Sequence, residues 1–122
     1  MPQIALASSL LALASAAAPA LADNVAIFER AELTDELSVT SFGIIEDTRC
    51  ASTRFCFNDD RLVVAAVVHY RGQDREVSLS MGEPLQLAGG TLTLTSTTTP
   101  PSSQGAIQLK RYRLEFEFQP TS

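Results

Sequence analysis

Residues 61–81 read R-L-V-V-A-A-V-V-H-Y-R-G-Q-D-R-E-V-S-L-S-M. The first part, residues 62–70, is apolar at odd and even positions almost throughout, which predicts a central β-strand buried on both faces. Gly72-Gln73-Asp74 predicts a hairpin turn, and the alternation of Val77 and Leu79 with serines predicts a second, half-buried strand. This stretch therefore predicts an antiparallel hairpin in the middle of a β-sheet.

The sequence before this hairpin predicts two more strands. Val25, Ile27 and Leu33 are spaced as in one strand, and residues 37–46 predict the next. Both segments are short, which is usual for the strands of a globular β protein.

The sequence after the hairpin continues the same pattern. Residues 85–87 and 91–97 predict short strands, and a loop rich in Thr, Ser and Pro follows at 96–105. Residues 112–118 alternate aromatic or aliphatic with charged side chains, and a change of parity before them predicts a bulge near Lys110-Arg111. With about seven short strands and no amphipathic helix, the chain is expected to be all-β: an antiparallel sandwich, immunoglobulin-like, or a partly open barrel.

The N-terminal segment is typical of exported proteins. Residues 4–21 are apolar or small and carry no charge, and Ala20-Leu21-Ala22 has the small-x-small pattern of a signal-peptidase site. We therefore predict a signal peptide at 1–22 and a single β domain at 23–122, periplasmic or secreted, with no membrane span after cleavage. The alternative is an uncleaved anchor helix, since the apolar segment is near the lower length limit of about 17 residues for spanning a bilayer.

The chain has two cysteines, Cys50 and Cys56, which enclose five residues. In an exported protein such a pair predicts a local structural disulfide. The alternative, a redox or metal pair, would usually show a Cys-x-x-Cys motif or further histidines, and the chain has one histidine. The disulfide would fix the loop between two predicted strands.

Charged residues are dense in this loop and its flanks. An exposed loop held by a disulfide is a common position for binding residues, and it gives a candidate binding site of six residues. These are Asp47, Arg49, Arg54, Asn58, Asp59 and Asp60. The acidic members could in principle supply calcium ligands, but their spacing is not that of an EF-hand, and Asn-Asp-Asp is also a common turn sequence. We predict surface ion pairs and no metal site.

Composition limits the functional classes. The net charge of −5 disfavours nucleic acid and anionic membranes as partners, because a basic surface is missing. Catalytic motifs are also missing: no Gly-x-Ser-x-Gly elbow or glycine-rich phosphate loop occurs, and His69 is the only histidine. We therefore predict no catalytic residues, no cofactor and no enzymatic activity.

Residues 45–50, I-E-D-T-R-C, together with Cys56 and the Arg61-Leu62-Val63-Val64 run resemble a group of uncharacterised small secreted bacterial proteins. In those proteins an I-E-D-S-R-C-P stretch is followed by a second cysteine and Trp-Ala-Gly. The resemblance extends over about residues 44–118 and implies an envelope location and an all-β fold, but no activity. This chain differs at Ala51, where proline is expected, and at 58–60, where Asn-Asp-Asp replaces Trp-Ala-Gly.

A weaker resemblance is to the small periplasmic lysozyme inhibitors, which are acidic β domains with a disulfide. It rests on Phe55-Cys56 followed by residues 62–68, while their Ser-Gly-x-Arg-Tyr type of motif is missing here. The leading expectation is a non-enzymatic exported binding or structural module, whose partner is another envelope or secreted protein. The alternative is a proteinaceous inhibitor of a basic hydrolase such as lysozyme.

Overall fold

The computed structural model describes residues 18–51, 60–102 and 105–121. These residues contain eight β-strands and one turn of 3-10 helix at Leu109–Arg111. The strands are β1 (Ala20–Ala26), β2 (Arg30–Thr34), β3 (Leu37–Asp47), β4 (Leu62–Tyr70), β5 (Gln73–Ser80), β6 (Leu85–Leu87), β7 (Gly90–Thr97) and β8 (Arg113–Pro120).

The strands form two four-stranded antiparallel sheets, ordered β1-β8-β7-β6 and β2-β3-β4-β5. Within the second sheet every strand pairs with its neighbour in sequence. In the first sheet β1 instead pairs with β8, so the chain changes sheet after β1 and again after β5. The predicted all-β sandwich is confirmed.

The core lies between the two sheets and is built from alternate residues of each strand. On β8, Leu114, Phe116 and Phe118 point inward and are at most 5% exposed, as the alternation predicted. They pack in one cluster with Leu92 and Leu94 of β7 and with residues of the other sheet. Burial of these aliphatic and aromatic side chains is the main stabilising contribution.

The predicted central hairpin is present. β4 lies between β3 and β5, and the turn at Arg71-Gly72 joins it to β5. On one face of β4, Leu62, Val64, Ala66 and Val68 are buried, but on the other only Val63 is, and Ala65 and Val67 are partly covered. The prediction that both faces are buried is therefore wrong for this second face, because it is the outer surface of the sandwich.

Two further sequence predictions are corrected. The single strand expected to span Val25 to Leu33 is two strands in different sheets, separated by a turn in which Phe28 has φ 73°. The bulge expected near Lys110-Arg111 is the 3-10 turn that precedes β8. β8 itself is not an edge strand, since β1 and β7 flank it.

The predicted signal segment lies mainly outside the described residues. Its last three residues, Ala20 to Ala22, are the start of β1 and pair with the Phe116–Phe118 stretch of β8. Cleavage after Ala22 stays a prediction. Within the described ranges, no helix has the length and apolar character needed to cross a membrane.

β3 contains two irregularities that matter for the surface. Its register against β4 shifts between Ser41 and Gly43 and again between Ile44 and Glu46, so Phe42 and Ile45 are extra residues in the ladder. Bulges of this kind turn side chains away from simple alternation. Ile44 packs against the core, whereas Phe42 and Ile45 are 39% and 57% exposed.

Gly90 begins β7 at a position where a side chain does not fit. A Cβ atom there would lie 2.3 Å from the backbone oxygen of Gln119 and 2.8 Å from Cα of Pro120. We expect Gly90→Ala to lower the free energy of unfolding by about 2 kcal/mol, within the range for overpacking. Gly43→Ala is the matched control, because a Cβ atom at Gly43 would have no neighbour within 4 Å. Equal urea midpoints for the two variants would contradict the prediction.

Candidate functional site

The predicted binding loop is only partly within the described residues. Cys56, Arg54, Asn58 and Asp59 lie outside them, so the disulfide and these three site residues stay predictions. Three other site residues, Asp47, Arg49 and Asp60, are described, and they stand on the two sides of the loop where it leaves the sheet.

Hydrogen bonds across the base of the loop hold its two ends together. The Thr48 amide donates to the Arg61 carbonyl at 2.8 Å, and the Arg61 amide donates to Oγ1 of Thr48 at 3.2 Å. Beyond them the Cys50 amide donates to Oδ1 of Asp60 at 3.1 Å. Asp60 therefore accepts a hydrogen bond that holds the loop and is also exposed to solvent. The loop therefore leaves the sheet through a closed neck.

Asp47 and Arg49 point away from solvent and form a network with residues that flank β7 and β8. Arg49 Nε donates to Oδ1 of Asp47 at 2.8 Å and Nη2 donates to Oδ2 at 3.0 Å, which is a bidentate pair. Arg49 Nη1 also donates to the Thr99 carbonyl at 2.6 Å, and the Tyr112 hydroxyl donates to Oδ2 of Asp47 at 2.5 Å. The side chains of Arg49 and Asp47 are 8% and 15% exposed.

The pKa values of these groups favour the charged pair. Burial acts to raise the pKa of Asp47, but the hydrogen bonds from Arg49 and Tyr112 outweigh it and leave that pKa below the ordinary 3.8. The hydrogen bond to Asp47 raises the pKa of Arg49, and burial together with Asp47 raises that of Tyr112. Two of the six predicted site residues therefore connect the end of β3 to the segments that flank β7 and β8.

A groove lies beside this network on the open side of the sandwich. Its volume is about 530 Å³, within the range of ligand-binding sites. One wall is the second half of β3, and the other is the segment that leads into β8. The apolar or small lining residues are Gly43, Ile44, Ile45, Gly105, Ala106, Ile107 and Leu109.

Ile45 and Leu109 are exposed apolar residues of the groove lining, and exposed Phe42 directly precedes this lining on β3. Phe42 and Ile45 are the extra residues of β3, Leu109 forms part of the opposite wall, and the Phe28 amide donates to the Ser41 carbonyl at 2.7 Å. We call Phe28, Phe42, Ile45 and Leu109 the β3 ridge. They are 67%, 39%, 57% and 40% exposed, and among the described residues Leu21 is the only other large apolar side chain with comparable exposure. Clustered exposure of this kind is typical of interaction sites.

Sequence reasoning missed the ridge and the partners of Asp47. A signal for the ridge was present, because Phe42, Ile44 and Ile45 cannot all face the core in a strand with strict alternation. No comparable signal existed for Tyr112, which was expected only to be buried. Its hydroxyl contacts a residue 65 positions earlier in the chain.

His69 of β4 belongs to a polar network on the outer face of its sheet, with Thr40 in the first half of β3 and Asp74 of β5. Its Nε2 is 3.0 Å from Oγ1 of Thr40, and its Nδ1 is 2.7 Å from Oδ1 of Asp74. With the proton on Nδ1, His69 donates to Asp74 and accepts from the Thr40 hydroxyl. Hydroxyl, imidazole and carboxylate stand in this order in many hydrolases.

The surroundings of Thr40 do not support acyl transfer. An oxyanion requires donors that are free to point at the reacting atom. Thr40 pairs with Arg30 on one side and Val67 on the other, and His69 pairs with Ser38 and Asp74. The backbone amides at these positions belong to the ladders of an interior part of the sheet. We interpret the network as a cross-strand polar cluster, which contributes to sheet stability.

Metal binding has no support from the described part of the chain, where no group of three or more His, Cys, Asp or Glu side chains converges.

Comparison of this chain with protein-family models, with curated proteins and with solved structures gives no match. The residues and geometry given above are therefore the basis for proposing its function.

Proposed function

We propose that this protein is an exported, non-enzymatic module that binds another protein of the cell envelope or its surroundings. The observation that supports this proposal is the β3 ridge, with four large exposed apolar side chains, of which Ile45 and Leu109 line one groove. The signal-like segment and the cysteine pair support the location. The exposed Asp60, which accepts the hydrogen bond of the Cys50 amide, contributes a negative charge at the neck of the predicted loop.

A pull-down with purified, exported protein tests the proposal. The baits are the wild type, Phe42→Ser/Ile45→Ser, Asp59→Asn/Asp60→Asn, and Val67→Ser as a control for the loss of a partly exposed apolar side chain elsewhere, on the outer face of β4. We expect a partner from envelope extract that is retained by the control and lost with the ridge variant, and we expect the same loss with purified partner. A partner bound equally by all four baits would place the site elsewhere, and no partner would contradict the binding role.

Inhibition of a basic hydrolase such as lysozyme is the second candidate function. Its support is the net charge of −5, since an acidic surface attracts a basic enzyme and this attraction weakens with salt. The test is lysozyme activity with and without the protein at low and moderate ionic strength. Salt-sensitive inhibition would favour this candidate, and unchanged activity at a large excess of protein would remove it.

Substitution of Thr40 tests the prediction that the protein has no enzymatic activity. We expect wild type and Thr40→Val to hydrolyse p-nitrophenyl acetate at the same slow rate, because no oxyanion donors stand beside the hydroxyl. We likewise expect no labelling by a fluorophosphonate reagent. Labelling of the wild type that Thr40→Val or His69→Gln abolishes would show the non-enzymatic proposal to be wrong.

A further inference from the structure

We propose that the groove binds an extended segment of a partner polypeptide, which pairs with residues 42–46 of β3 as an additional strand. This inference rests on the proposed binding function and specifies its mode and its ligand class. The segment is one with apolar side chains at alternate positions and lysine or arginine beside them. Four features of the site carry the inference: the unpaired edge, the opposite wall, the bulges and the charge.

The first feature is a strand edge without a neighbour. β2 pairs with β3 only as far as Thr40, where its partner is Arg30. β3 continues to Asp47 with β4 on one side. On the other side of residues 42–46, no strand is present in the described parts of the chain. Unpaired amide and carbonyl groups on such an edge bind extended peptides in several families of recognition domains.

The second feature is the wall opposite this edge. Gly105, Ala106, Ile107 and Leu109 face β3 across the groove. Gly105 and Ala106 have minimal side chains, which leaves space for an incoming backbone, while Ile107 and Leu109 offer apolar contact. Because successive side chains of a strand point to opposite faces, every second residue of a bound segment would enter this groove.

The third feature, the pair of bulges in β3, favours a partner segment over a second copy of this chain as the bound strand. Bulges at Phe42 and Ile45 bend and twist the edge, and bulges are a common means of preventing edge-to-edge pairing of identical sheets. Two rigid copies of a bulged edge match poorly, whereas a short flexible segment can follow the twist. The net charge of −5 on each copy adds repulsion.

The fourth feature is the charge of the lining. Its charged residues at neutral pH are Glu46, Asp47 and Arg49. Asp47 and Arg49 neutralise each other, so the remaining charge is that of Glu46, whose side chain is 36% exposed and 3.9 Å from Arg61. A contact of this length and exposure contributes little. An apolar segment with a nearby lysine or arginine is therefore complementary to the groove.

Selection from a library of random linear decapeptides against the exported protein tests the inference. We expect enriched peptides with alternating apolar residues and a basic residue. Their affinity should fall at least 100-fold with Ile45→Asp and with Ala106→Asp, which change opposite walls, and should be unchanged with Gln86→Asp, an exposed position on β6 outside the groove. N-methylation of alternate backbone amides, on the register that faces β3, should abolish binding. Thermal unfolding of each variant verifies its fold.

Amide hydrogen exchange gives the second measurement. Peptide binding should slow exchange within residues 42–46 and leave the outer face of β4 unchanged. No enriched peptide, or peptides that bind the two wall variants and the N-methylated forms as well as their parents, would overturn the inference. If the ridge still determines capture of a folded partner in that case, the proposed function stands and only the strand-pairing mode fails.

Discussion

Asp47→Ala is expected to lower the free energy of unfolding by about 3 kcal/mol, near the lower end of the range for breaking a buried ion pair. The variant would leave Arg49, which is 8% exposed, without its carboxylate partner and the Tyr112 hydroxyl without its acceptor. The cost of an unpaired buried charge exceeds the value of the pair itself. Urea unfolding monitored by circular dichroism measures the effect.

A double variant distinguishes the loss of a partner from the loss of packing. Asp47→Leu/Arg49→Met removes both charges, keeps much of the volume, and should cost less than Asp47→Ala alone. Tyr112→Phe removes one hydrogen bond to a charged acceptor and should cost about 1–2 kcal/mol. If Asp47→Ala cost less than the double variant, the network would not have the role assigned to it.

The same network should give stability a defined pH dependence. The folded pKa of Asp47 lies below its ordinary value of 3.8, so its contribution is present above that value and is lost as pH falls through the folded pKa. The folded pKa of Tyr112 is raised, so its contribution is present below 10.0 and declines as pH rises above it. In a plot of the free energy of unfolding against pH, Asp47→Asn should reduce the decline at acid pH. Tyr112→Phe should reduce the decline at alkaline pH.

Loss of the predicted disulfide should have the second large effect. On the loop-entropy relation, a bridge that encloses five residues stabilises by about 2–3 kcal/mol. We expect Cys50→Ser/Cys56→Ser to lose this amount, and reduction of the wild type to give the same loss. The hydrogen bonds between Thr48 and Arg61 remain in both cases, so the sandwich should still fold.

The double serine variant is its own control, because reductant should not change its urea midpoint. Mass spectrometry after alkylation should find no free thiol in the exported wild type. Two alkylated cysteines in non-reduced protein, or a wild type that reductant leaves unchanged, would show that the disulfide does not form.

Hydrophobic alternation and turn residues in the sequence were sufficient to predict most strands of the sandwich. The alternation in residues 112–118 and the turn at Gly72 specify half-buried strands and a hairpin by sterics and solvent exposure alone. The break between β1 and β2 could not be found in this way. It depends on Phe28 with φ 73°, a conformation that usually requires glycine, and on the pairing of β1 with a strand far along the chain.

The candidate site was less predictable for a physical reason. Counting charges identified the loop near Cys50, but whether a charge faces water depends on its partners in space. Asp47 and Arg49 face inward because Tyr112, just before β8, and Thr99, just after β7, complete their hydrogen bonds. The exposed ridge depends on two extra residues in β3, and the register of β3 against β4 is a property of both strands.

The pairing of β1 with β8 has a consequence for the order of folding. The sheet β2-β3-β4-β5 contains only pairs of consecutive strands, which close short loops, so it can form early. β1 must wait for residues 113–120, and its contacts have the largest sequence separation among the paired strands. On the proposed export route, a chain that leaves the translocation pore N-terminus first would keep β1 unpaired until β8 has emerged. During that interval the first strand is open to chaperones and proteases.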